Sequence, residues 1–361
     1  MLHQPEKKIV LIGCGAVSQL YYSPALKELE KLKIVTVAAL FDPNPENVRL
    51  VQQVFPEAKA LAGLDDTSSQ NFDLAIIASP PQYHAGQTIR LLQAGLSVLC
   101  EKPMAATVAE AEEMIKAAEI APGLLAIGLF RRFFPATQTI HKILSLNMLG
   151  NIKSFSFSEG GYFQWPVQSQ SYFKKASAHG VLADIGVHLL DLMIWWFGNP
   201  TEVIYEDDTM GGIEVNCRLQ CKFGQDFTGE VRLSRDCVLP NSYLIHGTKG
   251  WLKWNVNDAP NQIQLGFDDF SFGIDARIYD VDSRNPFSPG EPSYNFEQSF
   301  TSQIHNLIAA KEGKEPLMVP GNEAIKSLRV IESCYKNRTL MPMPWLSESE
   351  LKNAYQINAQ I

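Results

Sequence analysis

Lys8-Ile9-Val10-Leu11-Ile12-Gly13-Cys14-Gly15-Ala16-Val17-Ser18 follows a short polar N-terminus. Its continuous apolar run, rich in β-branched residues, predicts a strand covered on both faces, as in a parallel sheet. The G-x-G-x-x-S that follows is one step from the dinucleotide fingerprint G-x-G-x-x-G/A. Gly13 permits the tight turn. Gly15 lets the backbone approach a pyrophosphate, which then sits on the helix N-terminus that Ala16 and Val17 begin. Ser18 stands where a third small residue is usual, and it adds a hydroxyl. Pro24 predicts that the helix kinks or restarts.

Working outward, further strands are expected at 34–41, 74–78, 96–100 and 124–129, with helices at 46–55 and 82–94 between them. Thr107-Val108-Ala109-Glu110 reads as a capping box that opens another helix. Such alternation is the signature of a doubly wound parallel sheet. Asp42 ends the second strand, 27 residues beyond Gly15. A carboxylate there accepts hydrogen bonds from an adenosine ribose and repels a 2′-phosphate, which favours NAD over NADP. The alternative is that Asp42 only starts the turn 42–45 and caps the next helix.

Two strand ends carry further chemistry. Ser79-Pro80-Pro81 forms either a rigid wall beside a nicotinamide ring or a plain helix start. His84, two residues into the next helix, serves either first-turn packing or the cofactor. Val98-Leu99-Cys100-Glu101-Lys102-Pro103 is a buried run that stops at Lys102. Pro103 biases that lysine toward extended backbone. Ligands of open α/β sheets bind outside the carboxyl ends of strands, so Lys102 can meet a cofactor on one side and a substrate on the other.

Consecutive alternating segments then replace the strand–helix rhythm: 153–159, 202–207, 214–223, 226–233, 242–246 and 250–255. They predict a mostly antiparallel sheet with one covered face. The division expected is 1–130, 131–345 and a tail at 346–361. On a helix, Asp184, His188 and Asp191 fall within about 60° of one another, opposite an apolar flank. That face offers an imidazole between two carboxylates. The segment 160–179 is rich in aromatic and amide side chains; Tyr162, Trp165, Lys174 and Lys175 either suit a sugar ring or belong to a plain surface loop. Arg131 and Arg132 suit a substrate anion or an interdomain salt bridge. Residues 275–293 read as loop, and 295–312, 323–337 and 347–355 as helices.

Composition narrows the function classes. The 361 residues carry a net charge of −8 and are 45% apolar. That balance argues against nucleic-acid and anionic-membrane partners. No run approaches the 18 apolar residues of a membrane span, and no signal-peptide core precedes the first strand. The six cysteines show no Cys-x-x-Cys pair and read as reduced thiols of a cytoplasmic protein. No metal-ligand cluster is evident.

The glycine loop, Glu101-Lys102-Pro103 and Asp184-x-x-x-His188 together resemble the Gfo/Idh/MocA oxidoreductases, a family that includes glucose–fructose oxidoreductase and inositol dehydrogenase. Ser79-Pro80-Pro81 with His84, and Arg131-Arg132-Phe133-Phe134-Pro135, add to the resemblance, which spans about 7–340. It implies an α/β protein: a Rossmann domain followed by a domain with a large open sheet, used in the family for homo-oligomer contacts, commonly in dimers or tetramers. It also implies hydride transfer between NAD(P) and a hydroxyl- or carbonyl-bearing carbon of a sugar or polyol. Lys102 would polarise the reacting oxygen, His188 exchange its proton, and Asp184 position the substrate or tune the imidazole. Two alternatives stand beside this: an NAD(P)-binding sensor without turnover, and redox-neutral elimination with tightly held NAD.

Overall fold

β1, Lys7–Ile12, is buried over its last four residues, as a strand covered on both faces must be. The structure, a computed structural model, describes residues 6–67, 72–166, 180–210, 212–256, 261–267, 270–276, 296–344 and 346–359. β2 (Val35–Phe41), β3 (Lys59–Ala60), β4 (Leu74–Ile77), β5 (Ser97–Cys100) and β6 (Leu125–Ile127) join β1 in one sheet. Its order is β3-β2-β1-β4-β5-β6, with every pair parallel. Strand order reverses between β1 and β4, which leaves a crevice outside their carboxyl ends. The helices of this half are α1 (Ser23–Lys31), α2 (Pro45–Gln52), α3 (His84–Gln93) and α4 (Val108–Ile120). The expected capping box holds: Glu110 N–H donates to Thr107 Oγ1, and the Glu110 carboxylate accepts from Thr107 N–H, each at 3.2 Å. A cap of this kind is worth ~1 kcal/mol.

Pro24 neither breaks nor restarts the helix. Helical backbone runs unbroken from 16 to 31: a π-helical turn, Ser18–Tyr22, leads directly into α1, of which Pro24 is the second residue, and Ser23 N–H still donates back to the Ser18 carbonyl.

α5 (Pro135–Ser145) and β7 (Ile152–Gly160) begin the second half. A π-helical turn, Leu182–Gly186, then runs into α6 (Val187–Phe197). β8 (Glu202–Asp207), β9 (Asn216–Phe223), β10 (Phe227–Ser234), β11 (Ser242–Gly247), β12 (Trp251–Asn255), β13 (Gln262–Gly266), β14 (Ser271–Asp275) and β15 (Thr339–Leu340) complete it. The nine-stranded order is β14-β13-β12-β11-β7-β10-β9-β8-β15. Among the described residues only β7–β10 and β8–β15 pair in parallel, so the sheet is mixed and mostly antiparallel. Alternate residues, among them Phe155, Phe157, Leu219, Val231, Tyr243 and Trp254, are buried on one face.

α6 departs from the expected two-faced helix. Val187 through Ile194 are all buried, and so is Trp196. Asp191 and His188 therefore both lie in the interior, where the sequence reading expects an open face. The cause is composition: a helix apolar around its whole circumference is enclosed by its neighbours. Trp196 Nε1 donates to the Thr137 carbonyl at 3.3 Å, and Trp195 stacks on His141 at 4.2 Å.

The chain closes with α7 (Gln298–Lys311), α8 (Gly321–Lys336) and α9 (Glu348–Ala359). It divides into two compact units, one chiefly Met1–Arg132 with Phe296–Leu328, the other Phe133–Trp165, Gln170–Asn295 and Arg329–Ile361. Thus α7 returns to the parallel-sheet unit, where the sequence reading runs 131–345 as one domain. Phe300 of α7 packs on Tyr21, Tyr22 and Phe130, and Lys311 Nζ donates to the Asp73 carbonyl. Among the described residues no helix is long and apolar enough to cross a membrane.

Candidate active site

The glycine loop is held from below. Gly13 adopts φ +87°, and a Cβ there would stand 2.6 Å from the backbone of Ala78 and Ser79. Only glycine meets both demands. The Ser18 hydroxyl is fully buried and donates to the Gly13 carbonyl at 2.5 Å. Its added oxygen thus fastens the loop. Cys14 N–H donates to Asp42 Oδ2, and Asn44 N–H to Asp42 Oδ1, each at 2.8 Å. Asp42 does start the turn 42–45, but Asn44, not Asp42, caps α2. The Cys14 thiol is pushed up to about 12 by burial, with the Asp42 charge adding to it. Gly15, Ala16 and Val17 remain half-buried. Their N–H groups open the helix, where no intrahelical acceptor precedes them.

Lys102 stands half-buried at the carboxyl end of β5. Its own N–H donates to Glu101 Oε2 at 3.0 Å. The other oxygen, Glu101 Oε1, accepts from the Tyr22 hydroxyl at 2.7 Å, and Gln303 Nε2 donates to the Tyr22 oxygen at 3.2 Å. Gly128 leaves room for this carboxylate, since a Cβ there would lie 2.9 Å from it. Burial raises the Glu101 carboxyl; the Tyr22 hydrogen bond and the Lys102 charge oppose that rise. Glu101 is therefore a buried anchor of the turn that presents Lys102.

Ser79 is half-buried and Pro80 exposed at the end of β4. The Ser79 hydroxyl donates to Gln87 Oε1 at 2.6 Å. His84 is the first residue of α3 and is fully buried. Its Nδ1 lies 2.9 Å from the Pro103 carbonyl and its Nε2 2.8 Å from the Ser79 carbonyl. Arg132 is also buried, and its Nη1 donates to the Met318 carbonyl at 3.4 Å.

In the other unit, Glu214 fixes the start of the Asp184 helix. Its carbonyl accepts from Val181 N–H, and its Oε1 accepts from Leu182 N–H at 3.1 Å and the Tyr335 hydroxyl at 2.8 Å. Gly180 has no side chain to collide with it. Asp184 lies in the π-helical turn, half-buried, and His188 one turn later is buried to 5% exposure. Asp184 pairs with the Arg235 guanidinium, which lies 4.9 Å from the Phe163 ring centre. Phe163 N–H donates to the Arg235 carbonyl at 3.0 Å. Tyr162 is exposed and Trp165 half-buried on the same segment. Lys174 and Lys175 lie outside the described residues. Sequence reasoning missed Arg235 and Phe163; the sole signal for Arg235 is a charged residue just past the end of a strand.

A dinucleotide suits the first unit. The positive-φ glycine, the half-buried first-turn N–H groups and an anchored carboxylate at the end of β2 are the chemistry its pyrophosphate and ribose require. Among the described residues no group of three or more His, Cys, Asp or Glu could hold a metal ion.

Comparison with known proteins agrees with this geometry. Residues 7–129 match the profile of the GFO/IDH/MocA oxidoreductase family, NAD-binding Rossmann fold, and residues 137–253 match the GFO/IDH/MocA C-terminal domain. Glucose-6-phosphate 3-dehydrogenase of Bacillus subtilis is 30% identical over 93% of this chain and 98% of its own. The scyllo-inositol 2-dehydrogenase (NADP(+)) IolW of the same organism is 24% identical over 92% and 95%. A levoglucosan dehydrogenase solved with NADH and levoglucosan superposes with a TM-score of 0.77 at 18% identity, covering 92% of this chain and 98% of that one. Matched by both domain profiles and by a relative aligned along nearly its whole length, the chain belongs to the GFO/IDH/MocA family of NAD(P)-dependent oxidoreductases.

Proposed function

We propose that the protein is a dehydrogenase or reductase that moves a hydride between NAD and the hydroxyl- or carbonyl-bearing carbon of a sugar, polyol or sugar derivative. The observation that carries this reading is Lys102, half-buried at the carboxyl end of β5 on a turn anchored by buried Glu101. Bound nicotinamide supplies the hydride donor or acceptor. Gly13, Gly15, Ala16, Val17 and Ser18 form the pyrophosphate loop, and Asp42 takes the ribose. Ser79, Pro80, Glu101 and Lys102 line or support the nicotinamide half. Lys102 sets a cation beside the reacting oxygen, which stabilises developing alkoxide in a dry site. His188 takes or returns the hydroxyl proton, general acid–base work that histidine performs most often among side chains. Asp184, ion-paired with Arg235, accepts a substrate hydroxyl or orients the imidazole. Tyr162, Trp165 and Arg132 serve the substrate end.

NAD is preferred to NADP because the Asp42 charge stands beside the loop. The nearest arginine, Arg49, is committed to Glu46 through two hydrogen bonds of 2.7–2.8 Å. Relatives named for a sugar phosphate and an inositol support the substrate class. The same reading gives the dinucleotide to 1–130 with the returning α7, substrate and subunit contacts to the rest of 131–345, and a tail to 346–361, in a cytoplasmic homo-oligomer.

The test is NADH and NADPH titration followed by a sugar and polyol panel read at the nicotinamide absorbance band. Lys102→Ala and His188→Ala should each lower kcat by about 10²-fold or more, with NADH affinity nearly intact. Wild-type rates in either variant remove that residue from the mechanism, and tighter binding of NADPH than NADH reverses the cofactor preference.

A further inference from the structure

We infer that His84 is a positioning residue: its buried imidazole is a strut that fixes the Lys102 turn against the Ser79-Pro80 segment. The inference rests on the functional reading above and adds a part to it. His84 belongs to the helix after β4, yet its two ring nitrogens face carbonyls at the ends of two neighbouring strands. Nε2 meets Ser79, just past β4, and Nδ1 meets Pro103, the residue after Lys102. β4 and β5 are paired in parallel up to Ile77 and Cys100, so these carbonyls sit on adjacent strand ends. A carbonyl can only accept and a neutral imidazole carries one N–H, so the ring donates to one of the two carbonyls and packs against the other, and an apolar replacement removes that donor.

The strut continues into the phosphate loop. Gly13 abuts the backbone of Ala78 and Ser79 so closely that a Cβ would not fit. The Ser79 hydroxyl is tied to Gln87 on the same helix as His84. A connected path therefore runs from the pyrophosphate loop through Ser79 and the imidazole to the backbone beside Lys102. Its consequence is registration. The site that grips the pyrophosphate and the lysine that meets the nicotinamide end are held at one spacing by a side chain that is itself fully buried.

The experiment compares His84→Phe and His84→Gln with the wild-type chain, using NADH, ADP-ribose and a turned-over sugar. ADP-ribose carries the adenine and pyrophosphate but lacks the nicotinamide, so it reports on the loop alone. His84→Phe should keep ADP-ribose affinity within about twofold. Its NADH affinity should fall toward that of ADP-ribose, and kcat should drop about tenfold or more with a smaller change in the sugar KM. His84→Gln, whose amide can still donate, should recover part of both losses. An unchanged NADH-to-ADP-ribose ratio with wild-type kcat overturns the inference. Equal loss of both ligands also overturns it, because the residue would then support the domain as a whole. If His84→Phe does not fold, His84→Gln decides by the same ratio. A wild-type chain that turns over no sugar or polyol defeats the functional reading, and the ligand ratio still reports separately on the strut.

Discussion

Tyr22→Phe removes one hydroxyl and tests the anchoring of Lys102 directly. Tyr22 and Glu101 are both buried, and the hydroxyl donates to Glu101 Oε1 at 2.7 Å. A hydrogen bond to a charged acceptor contributes about 1.5–3 kcal/mol, and a buried carboxylate that loses its donor bears the desolvation cost. Gln303 Nε2 loses its acceptor at the same time. The expected destabilisation is about 2–3 kcal/mol. At about 2–4 °C per kcal/mol for a domain of this size, the melting temperature should fall by about 4–12 °C. The loss should depend on pH in a defined direction. Burial already raises the Glu101 carboxyl above its ordinary value, and the tyrosine hydrogen bond opposes that rise. A group whose folded pKa is raised binds protons more readily in the folded state, so its stability contribution is largest at low pH and is lost as pH rises through that pKa. Removing the hydroxyl raises the pKa further. The gap between variant and wild type should therefore be widest where Glu101 is ionised, and narrow as pH falls toward 4.5. Thermal melts at pH 8 and pH 5 measure both. A melting temperature within 1 °C of wild type, or a gap that does not change with pH, would falsify the anchor (the ±1 °C limit is roughly the resolution of a melt for an effect this size).

Three other outcomes follow from individual residues. Gly13→Ala forces a side chain into φ +87° and into the backbone of Ala78 and Ser79. The conformation alone costs ~1–2 kcal/mol, so calorimetry should show weaker NADH binding together with a lower melting temperature. Cys14, Cys100, Cys217, Cys221 and Cys334 are buried and Cys237 is exposed; burial pushes the Cys14, Cys221 and Cys334 thiols up to about 12. A thiol reagent should therefore label Cys237 in the folded protein and reach the other five only in denaturant, as peptide mass mapping will show. Burial lowers the His84 imidazole below its usual 6.5, so the unfolded chain takes up this proton first. Its part of the stability is present above about pH 6.5 and falls with acid, with a slope of up to about 1.4 kcal/mol per pH unit until the folded pKa is passed. His84→Phe should flatten that limb of a denaturation series between pH 6.5 and 5.

Most of the parallel-sheet unit was legible in the sequence because its signals are local. An apolar run followed by glycines, a carboxylate at a strand end and a capping box each act within a few residues. β3 and β15 were not legible, since two residues carry no period. α7 shows why a domain boundary is harder to read than a helix. Its helical pattern lies in the sequence, but its choice of the first unit is made by Tyr21, Tyr22 and Phe130, far away along the chain.

The site divides along the same line. The residues proposed to meet a ligand, Lys102, Asp184 and His188, stand out because an ionisable side chain on a buried element requires a reason. The residues that hold them do not stand out. Ser18, Glu101 and His84 act on a backbone carbonyl, a backbone N–H or a distant tyrosine, and such partners leave no mark in the order of residues. Asp191 and His188 show what spacing leaves out. Angular position on an ideal helix puts both on one face, but angle sets only which way a side chain leaves the axis. What waits there is decided by packing, and around α6 every direction from Val187 to Ile194 leads into protein. An acidic residue on such a helix must be partnered inside, because burying an unpartnered charge costs far more than the helix gains. Spacing alone therefore does not decide whether a polar residue on such a helix meets a ligand or a partner within the protein. Asp184 keeps partial exposure because it lies in the π-helical turn that precedes the enclosed part of the helix.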